Sequence, residues 1–355
     1  MEKHMKNFDP NAAATKDSGI FGLPFSFEES ELVLLPVPWD ATTSYGGGAC
    51  RGPAAIFKAS KQIDLFDKEL GNFFESGIFM LKISSEIQKM NEVAYVAARK
   101  IIENEFSSDS TLFSTVNDLS LKLNKYVYEE TRELLNQGKK VGLIGGDHSV
   151  PFGSIQAHLE KYPNMSVLHI DAHADLRNAF EGFEYSHASI MYNAMTKTNL
   201  KKLVQVGVRD FCEEEWHFMK NNKNKIISFF DAEIAEKKLS GHIWSTLCDE
   251  ILHDMGEEVY ISFDIDGLDP RFCPHTGTPV PGGLEYHEVL YLFKKLIRSG
   301  RRVIGFDLNE VSLGSTQEAS SHVLEPAQEW DANVGARLLY KLCGLILRDT
   351  HNKIT

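Results

Sequence analysis

The sequence predicts an α/β protein built on one eight-stranded parallel sheet, with helices on both faces in three layers. Three observations carry this. From about residue 140 onward, short apolar runs alternate regularly with amphipathic stretches, and strands alternating with helices build a parallel sheet covered on both faces. Two earlier apolar runs bring the strand count to eight. No internal repeat and no Pro/Gly/Ser-rich linker divides the 355 residues, so residues 31–355 are expected to form one domain behind an N-terminal arm of residues 1–30.

Leu32–Val37 is a short apolar run and reads as a buried strand. It empties into Pro38–Gly48, a loop by its Pro, Thr and Gly content. Gly52 and Pro53 then open a helix through Ser60, with proline in the first turn, where its missing N–H costs nothing. Gly77–Leu81 reads as a second strand. Asn91–Asn104 and Leu121–Gln137 read as amphipathic helices, and the Ser/Asp-rich Phe106–Ser114 between them reads as a surface loop. The remaining strands are expected at Val141–Gly145, Ser166–Ile170, Leu203–Val208, Lys225–Phe230, Val259–Asp264 and Val303–Leu308. Helices are expected in most of the intervals, among them Tyr286–Arg298, and at Asp331–Arg348.

Composition narrows the function classes. A formal charge of −13 argues against nucleic acid, whose phosphates need a basic surface. Five scattered cysteines without a C-x-x-C pair suit a reducing cytoplasm and give no disulfide framework. The chain opens on no secretory signal and has no apolar run of about 18 residues, so no membrane is expected as partner.

The chemistry concentrates where strands end, beyond the carboxyl edge that hosts ligands in open α/β sheets. Val141–Gly145 is followed by Gly146, Asp147 and His148, and Ser166–Ile170 by Asp171, His173 and Asp175 at alternate positions. In extended backbone alternate side chains share a face, so one short segment can aim all three at one point. Val259–Phe263 leads into Asp264 and Asp266, and Val303–Leu308 into Asn309 and Glu310. His148, Asp171, His173, Asp175, Asp264 and Asp266 together supply two imidazoles and four carboxylates. Carboxylates gathered at one site repel one another, and two divalent cations would resolve the repulsion. A set rich in carboxylate, with some imidazole and no thiolate, suits Mn²⁺ better than a structural zinc.

Gly145–Ser149, Asp171–Asp175 and Ser262–Pro270 resemble the three signature motifs of the ureohydrolases, the family of arginase and agmatinase. The likeness runs from about Leu32 to Ile346 and is greatest to bacterial agmatinase-like members. It implies the arginase-type fold, with residues 31–355 as its catalytic domain, and two Mn²⁺ per subunit, with Ni²⁺ or Co²⁺ as alternatives. His148 and Asp175 would belong to one metal, His173 and Asp266 to the other, and Asp171 and Asp264 would bridge. It implies hydrolysis of a guanidino compound to urea and an amine in a cytoplasmic homo-oligomer, a trimer or hexamer. His187 falls at the family's proton-shuttling histidine, suited to that task by an ordinary pKa of about 6.5. Glu310 matches the glutamate that holds the guanidinium, a planar cation that a carboxylate orients through two hydrogen bonds. Asp175 counts among the catalytic residues as well as the ligands. His275, on the loop beside the metals, reads as structural.

The segment from Leu176 to Ser186 frames the substrate's tail and resembles the D-L-R…Y-S-H-A-S pattern of bacterial agmatinases, which makes agmatine the first substrate, hydrolysed to putrescine and urea. Glu181 or Glu184 would favour its amine, whereas Arg177 would favour a carboxylate-bearing tail. Arginase, guanidinobutyrase, formimidoylglutamase and guanidine hydrolase activities remain alternatives, as does a catalytically silent regulatory subunit. Val311–Ser321 departs from the family's short turn after the glutamate, and Lys82–Asn124 is longer than in compact agmatinases.

Overall fold

The computed structural model describes residues 8–103, 110–314 and 326–348. Its eight strands are β1 Leu32–Pro36, β2 Ile78–Met80, β3 Lys140–Ile144, β4 Ser166–Ile170, β5 Leu203–Val208, β6 Ile226–Phe230, β7 Glu258–Asp264 and β8 Arg302–Asn309. They form one sheet in the order β2-β1-β3-β8-β7-β4-β5-β6, and every pairing is parallel. The α/β class and the strand count expected from sequence are both present.

Period-two alternation explains why helices cover both faces. Leu168 and Ile170 of β4 join one apolar cluster while Val167 joins another, and in β7 Ile261 and Phe263 face opposite to Tyr260. Strands buried on both faces read as continuous apolar runs. One layer holds α1 Gly52–Ser60, α8 Trp244–His253, α9 Tyr286–Arg298 and α10 Pro326–Leu347. The opposite layer includes α2 Ser85–Glu103, α3 Ser110–Asn136, α4 Phe152–Lys161 and α5 Ile190–Lys197. The short helices α6 Glu213–Asn221 and α7 Asp231–Leu239 flank β6. In α9 the buried residues are Val289, Leu292, Phe293 and Leu296, one stripe of a 3.6-residue period, and a reciprocal Glu285/Glu288 cap starts the helix. Among the described residues no helix is long and apolar enough to cross a membrane.

Two expectations change. Ser110–Ser114, read as loop, forms the first turn of α3, and α2 begins at Ser85 rather than Asn91. Their surface positions are polar because both helices bury only one face, Ile87, Ala94, Ala98 and Ile101 in the first and Val116, Leu123 and Val127 in the second. Residues 106–109 of the expected loop, the last residue of the expected helix Asn91–Asn104, and residues 315–321 of the segment after Glu310 lie outside the described residues. The last helix starts at Pro326, ahead of the expected Asp331.

The four central strands, β3-β8-β7-β4, are those whose ends carry the motifs. Their tight spacing depends on Gly142, paired with Phe306 across β3 and β8; a Cβ there would stand 2.2 Å from Phe306 Cζ. Gly142→Val is expected to lower the unfolding free energy by about 1–3 kcal/mol through overpacking. Chemical denaturation measures this, and an unchanged midpoint would show that the strands give way freely.

Candidate metal centre

His148 reaches the centre on a turn only glycine permits, since a Cβ at Gly146 would fall 1.7 Å from the Trp39 carbonyl oxygen. Its Nδ1 lies 2.8 Å from Asp171 Oδ2, 3.2 Å from Asp175 Oδ2 and 3.3 Å from Asp264 Oδ2. Its Nε2 lies 2.9 Å from Ser262 Oγ, which donates to Asp307 Oδ1 at 2.8 Å. A second group gathers where His173 Nδ1 lies 3.1 Å from Asp266 Oδ2 and 3.4 Å from Asp171 Oδ1. Asp171 thus presents one oxygen to each group. All six residues named from sequence meet at this point, and all but His173 are buried.

The electrostatics show what the protein alone leaves unbalanced. Burial, then the charges of Asp266 and Asp171, push the Asp264 carboxyl well above its ordinary range. Burial and Asp171 raise Asp175 to about 7. Asp171 is held well below the usual range against the cost of burial by His169, His148 and His173. Asp266 Oδ2 has no hydrogen-bond partner, while Oδ1 accepts from the Ala172 amide at 3.0 Å. Buried carboxylates in conflict, an oxygen without a donor and two imidazoles fit hard divalent cations. Among the described residues, two groups could hold an ion: His148, His169, Asp171 and Asp175, and Asp171, His173 and Asp266.

His169 is the residue sequence reading passed over. It precedes Asp171 by two positions, so the same alternation that aligned 171, 173 and 175 extends to it. Its Nε2 lies 2.8 Å from Asp171 Oδ2, and its Nδ1 faces the Gln205 amide nitrogen at 3.0 Å. Gln205 cannot be found from local pattern, because it reaches the site from β5.

Glu310 and Asp175 both have positive φ, 61° and 54°, conformations that cost non-glycine residues energy and recur at functional sites. Glu310 Oε1 accepts from the His148 amide at 2.9 Å, and Oε2 has no partner. Burial and Asp147 raise its pKa well above the ordinary value. His187 donates its amide to Thr42 Oγ1 at 3.2 Å, and its Nδ1 lies 3.3 Å from Ser186 Oγ. Burial and then the neighbouring His173 lower its pKa to about 4.

A cavity of about 160 Å³ opens over the centre, lined by His173, Asp175, His187, Arg177, Phe180 and Asp210 among others. Glu310 is not in its wall; the Thr43–Tyr45 loop and Gly277 pack beside it. Glu181 and Glu184, the acids expected to meet the tail, do not line the cavity, and Glu184 pairs with Lys197. The Arg177 guanidinium lies over Phe180 at 4.8 Å and 3.8 Å from Glu215. His275 is tied to Asp331 through its amide and Nδ1, both at 2.9 Å, in agreement with a structural part.

An arginase-type sheet whose strand ends converge on a carboxylate-rich, two-part cation site is the mark of a metal-dependent hydrolase of the ureohydrolase class. The sequence profile of the Arginase family matches residues 30–324, and the chain belongs to that family. It is 35% identical over 286 residues to the N(1)-aminopropylagmatine ureohydrolase of Thermus thermophilus, covering 81% of this chain and 84% of that protein. It is 28% identical to the agmatinase of Bacillus anthracis, covering 81% and 85%. Its fold superposes on the agmatine ureohydrolase of Thermoplasma volcanium with a TM-score of 0.69 at 21% identity, covering 96% of each chain. The proclavaminate amidino hydrolase of Streptomyces clavuligerus gives 0.67 at 24% identity, covering 95% of this chain and 99% of that one.

Removing metal should make stability fall as pH rises. Asp147 and Asp175 are raised to about 7, and His148 and His173 well above 6.5; each contributes stability at low pH that is lost as pH climbs through its folded-state pKa. His158 and His187, lowered to about 4, oppose this, but the raised groups are more numerous. The thermal midpoint of chelated protein is expected to drop between about pH 5.5 and about pH 8, with Mn²⁺ restoring it chiefly at the upper end. A chelated midpoint that climbs steadily with pH would contradict the assignment.

Proposed function

We propose that the protein hydrolyses the guanidino group of a small, amine-bearing guanidine, agmatine first, to urea and the free amine (putrescine from agmatine). The observation that carries this reading is the conjunction of the two-part carboxylate centre with Glu310, whose buried Oε2 lacks a donor. In this reading His148 and Asp175 would hold one Mn²⁺, His173 and Asp266 would hold the other, and Asp171 and Asp264 would be shared. Asp171 supports the bridging part, with one oxygen toward each imidazole. Bound divalent cations supply a water activated near neutral pH.

The remaining work belongs to the chain's own groups. Glu310 Oε1 is held by the His148 amide, which leaves Oε2 to accept from a guanidinium N–H and fix the plane of the cation. His187 is kept neutral by burial and by His173. With Nδ1 toward Ser186, Nε2 is the atom left to take up a proton and return it to the departing amine. Gly277 packs beside Glu310, where a Cβ would stand 3.5 Å from Oε2.

The tail is read from the cavity wall. Asp210 is exposed there, and its carboxylate has no hydrogen bond or ion pair among the described residues. Arg177 is already engaged by Phe180 and Glu215. The free charge at the mouth is therefore negative and suits an ammonium better than a carboxylate. The Thermus thermophilus relative favours N(1)-aminopropylagmatine as the second reading. Five cysteines without a disulfide among the described residues support a cytoplasmic setting, and we place the enzyme there as a homo-oligomer.

Urea release from agmatine, N(1)-aminopropylagmatine, arginine and guanidinobutyrate, with Mn²⁺ and after chelation, tests the reading. Release is expected from the two amines with Mn²⁺ and from none after chelation. No urea from any of them would favour a silent subunit, and preference for arginine would overturn the tail assignment. Asp210→Asn is expected to raise KM for the amine-bearing guanidines roughly two- to fivefold, the worth of an exposed ion pair. Steady-state kinetics at low and high salt check this; equal KM values in the two proteins would remove Asp210 from the subsite.

A further inference from the structure

The turn that carries Phe180 cannot hold its own shape. Phe180 and Phe183 exchange two backbone hydrogen bonds, 3.2 and 2.9 Å, across Glu181 and Gly182, whose φ values are 52° and 82°. Two consecutive residues with positive φ make the tight turn of a β-hairpin, and one bridged pair is far short of an independently stable sheet. Glu181 adds strain, since a side chain disfavours that conformation.

Helices α2 and α3 supply the missing support. The Asn117 amide of α3 is used twice: Oδ1 accepts from the Glu184 backbone N–H at 2.9 Å, and Nδ2 donates to the Gly182 carbonyl at 3.2 Å. Phe113 lies against the turn, so a Cβ at Gly182 would come within 2.4 Å of its ring. The Phe183 side chain is fully buried among Ala97, Ala98 and Ile101 of α2 and Val116 of α3. Phe180, at the other end of the same turn, lines the cavity. One aromatic is thus the anchor and the other the wall.

Helix α2 also grips the loop on the facing side. The Asp40 amide donates to Asn91 Oδ1 at 2.8 Å, and Asn91 Nδ2 donates back to Asp40 Oδ1 at 2.9 Å. Arg99 Nη2 donates to the Thr43 carbonyl at 2.8 Å, next to Ser44, which also lines the cavity.

We propose that the α2–α3 pair sets the shape of the cavity mouth, with Asn117 as a positioning residue that places Phe180 against the substrate's tail and so selects which tails are accepted. The tail-selecting part rests on the functional reading above; the anchoring of the turn does not.

Hydrogen exchange and steady-state kinetics on Asn117→Ala in the full-length, Mn²⁺-loaded protein test it. Backbone exchange at residues 180–184 is expected to rise roughly tenfold and KM for agmatine and N(1)-aminopropylagmatine roughly three- to tenfold, the scale of one or two lost hydrogen bonds. Manganese content, the thermal midpoint and turnover of ethylguanidine, which lacks the amine-bearing tail, should stay near wild type. Asn117→Asp keeps an acceptor for the Glu184 amide and should recover part of the loss. Gly182→Ala, which must push Phe113 aside, should shift the same KM values. Unchanged exchange in both Asn117→Ala and Gly182→Ala would overturn the anchoring. Equal losses with agmatine and ethylguanidine would overturn tail selection. No urea from wild-type protein would sink the functional reading and tail selection with it, while the exchange result still judges the anchoring.

Discussion

The crowding of buried carboxylates at the ends of four adjacent strands is the constraint on which the structure turns. Asp171, Asp175, Asp264 and Asp266 are each at most 4% exposed, and ionised groups at such separations in a poorly solvated interior repel strongly. Protons relieve the repulsion only by neutralising the site, as the raised Asp175 and Asp264 indicate. Divalent cations relieve it while keeping the ligands anionic. The folded state and the proposed metals are therefore linked: ions that bind the native site stabilise the fold against an unfolded chain in which the same carboxylates disperse into water.

Such a site needs backbone that does not yield. Gly145 and Gly146 let Asn309 and Trp39 approach where any Cβ would collide, which brings β3 and β8 close enough for Glu310 to accept from the His148 amide. The left-handed conformations of Asp175 and Glu310 turn two carboxylates off the strand direction toward the centre. Strain of about 1–3 kcal/mol at each such residue persists because the surrounding bonds over-determine it: the Asp175 carbonyl accepts from the Met191 and Tyr192 amides, and the Glu310 amide donates to Gly146.

Much of this was legible in the chain, for identifiable reasons. Strands buried on both faces announce themselves as apolar runs, and three alternating ligands after one run predict a shared face. His169 was missed although it obeys the same alternation, because it sits inside the apolar run rather than after it. Adjacency of the four motif-bearing strands could not be read locally. Residues 140 and 302 begin neighbouring strands although 162 positions separate His148 from Glu310, and long-range pairing follows from packing rather than pattern. Asp210 and Gln205 come from β5 and its following loop, so their relation to the site depends on the β4–β5 register. Glu181 and Glu184 misled for the opposite reason. They are near the ligands in sequence, but the hairpin turns Glu184 toward Lys197.

The division of labour between strand ends and loops bears on how one centre can serve several substrates. The residues proposed to hold metal sit on or just beyond strands locked by neighbours on both sides, so altering one disturbs the whole charge balance. The cavity wall is built differently. Phe180, Arg177 and Ser44 lie on connecting segments held by side chains of α2, α3 and α6: Asn117 and Phe113, Asn91 and Arg99, and Glu215, which accepts from the Leu176 amide at 2.9 Å. None of these contacts is made by a residue of the proposed ligand set. Scaffold-borne chemistry combined with loop-borne recognition allows selectivity to drift while the reaction is kept. That is consistent with relatives 35% and 28% identical to this chain being named for guanidines that differ in the length of the tail.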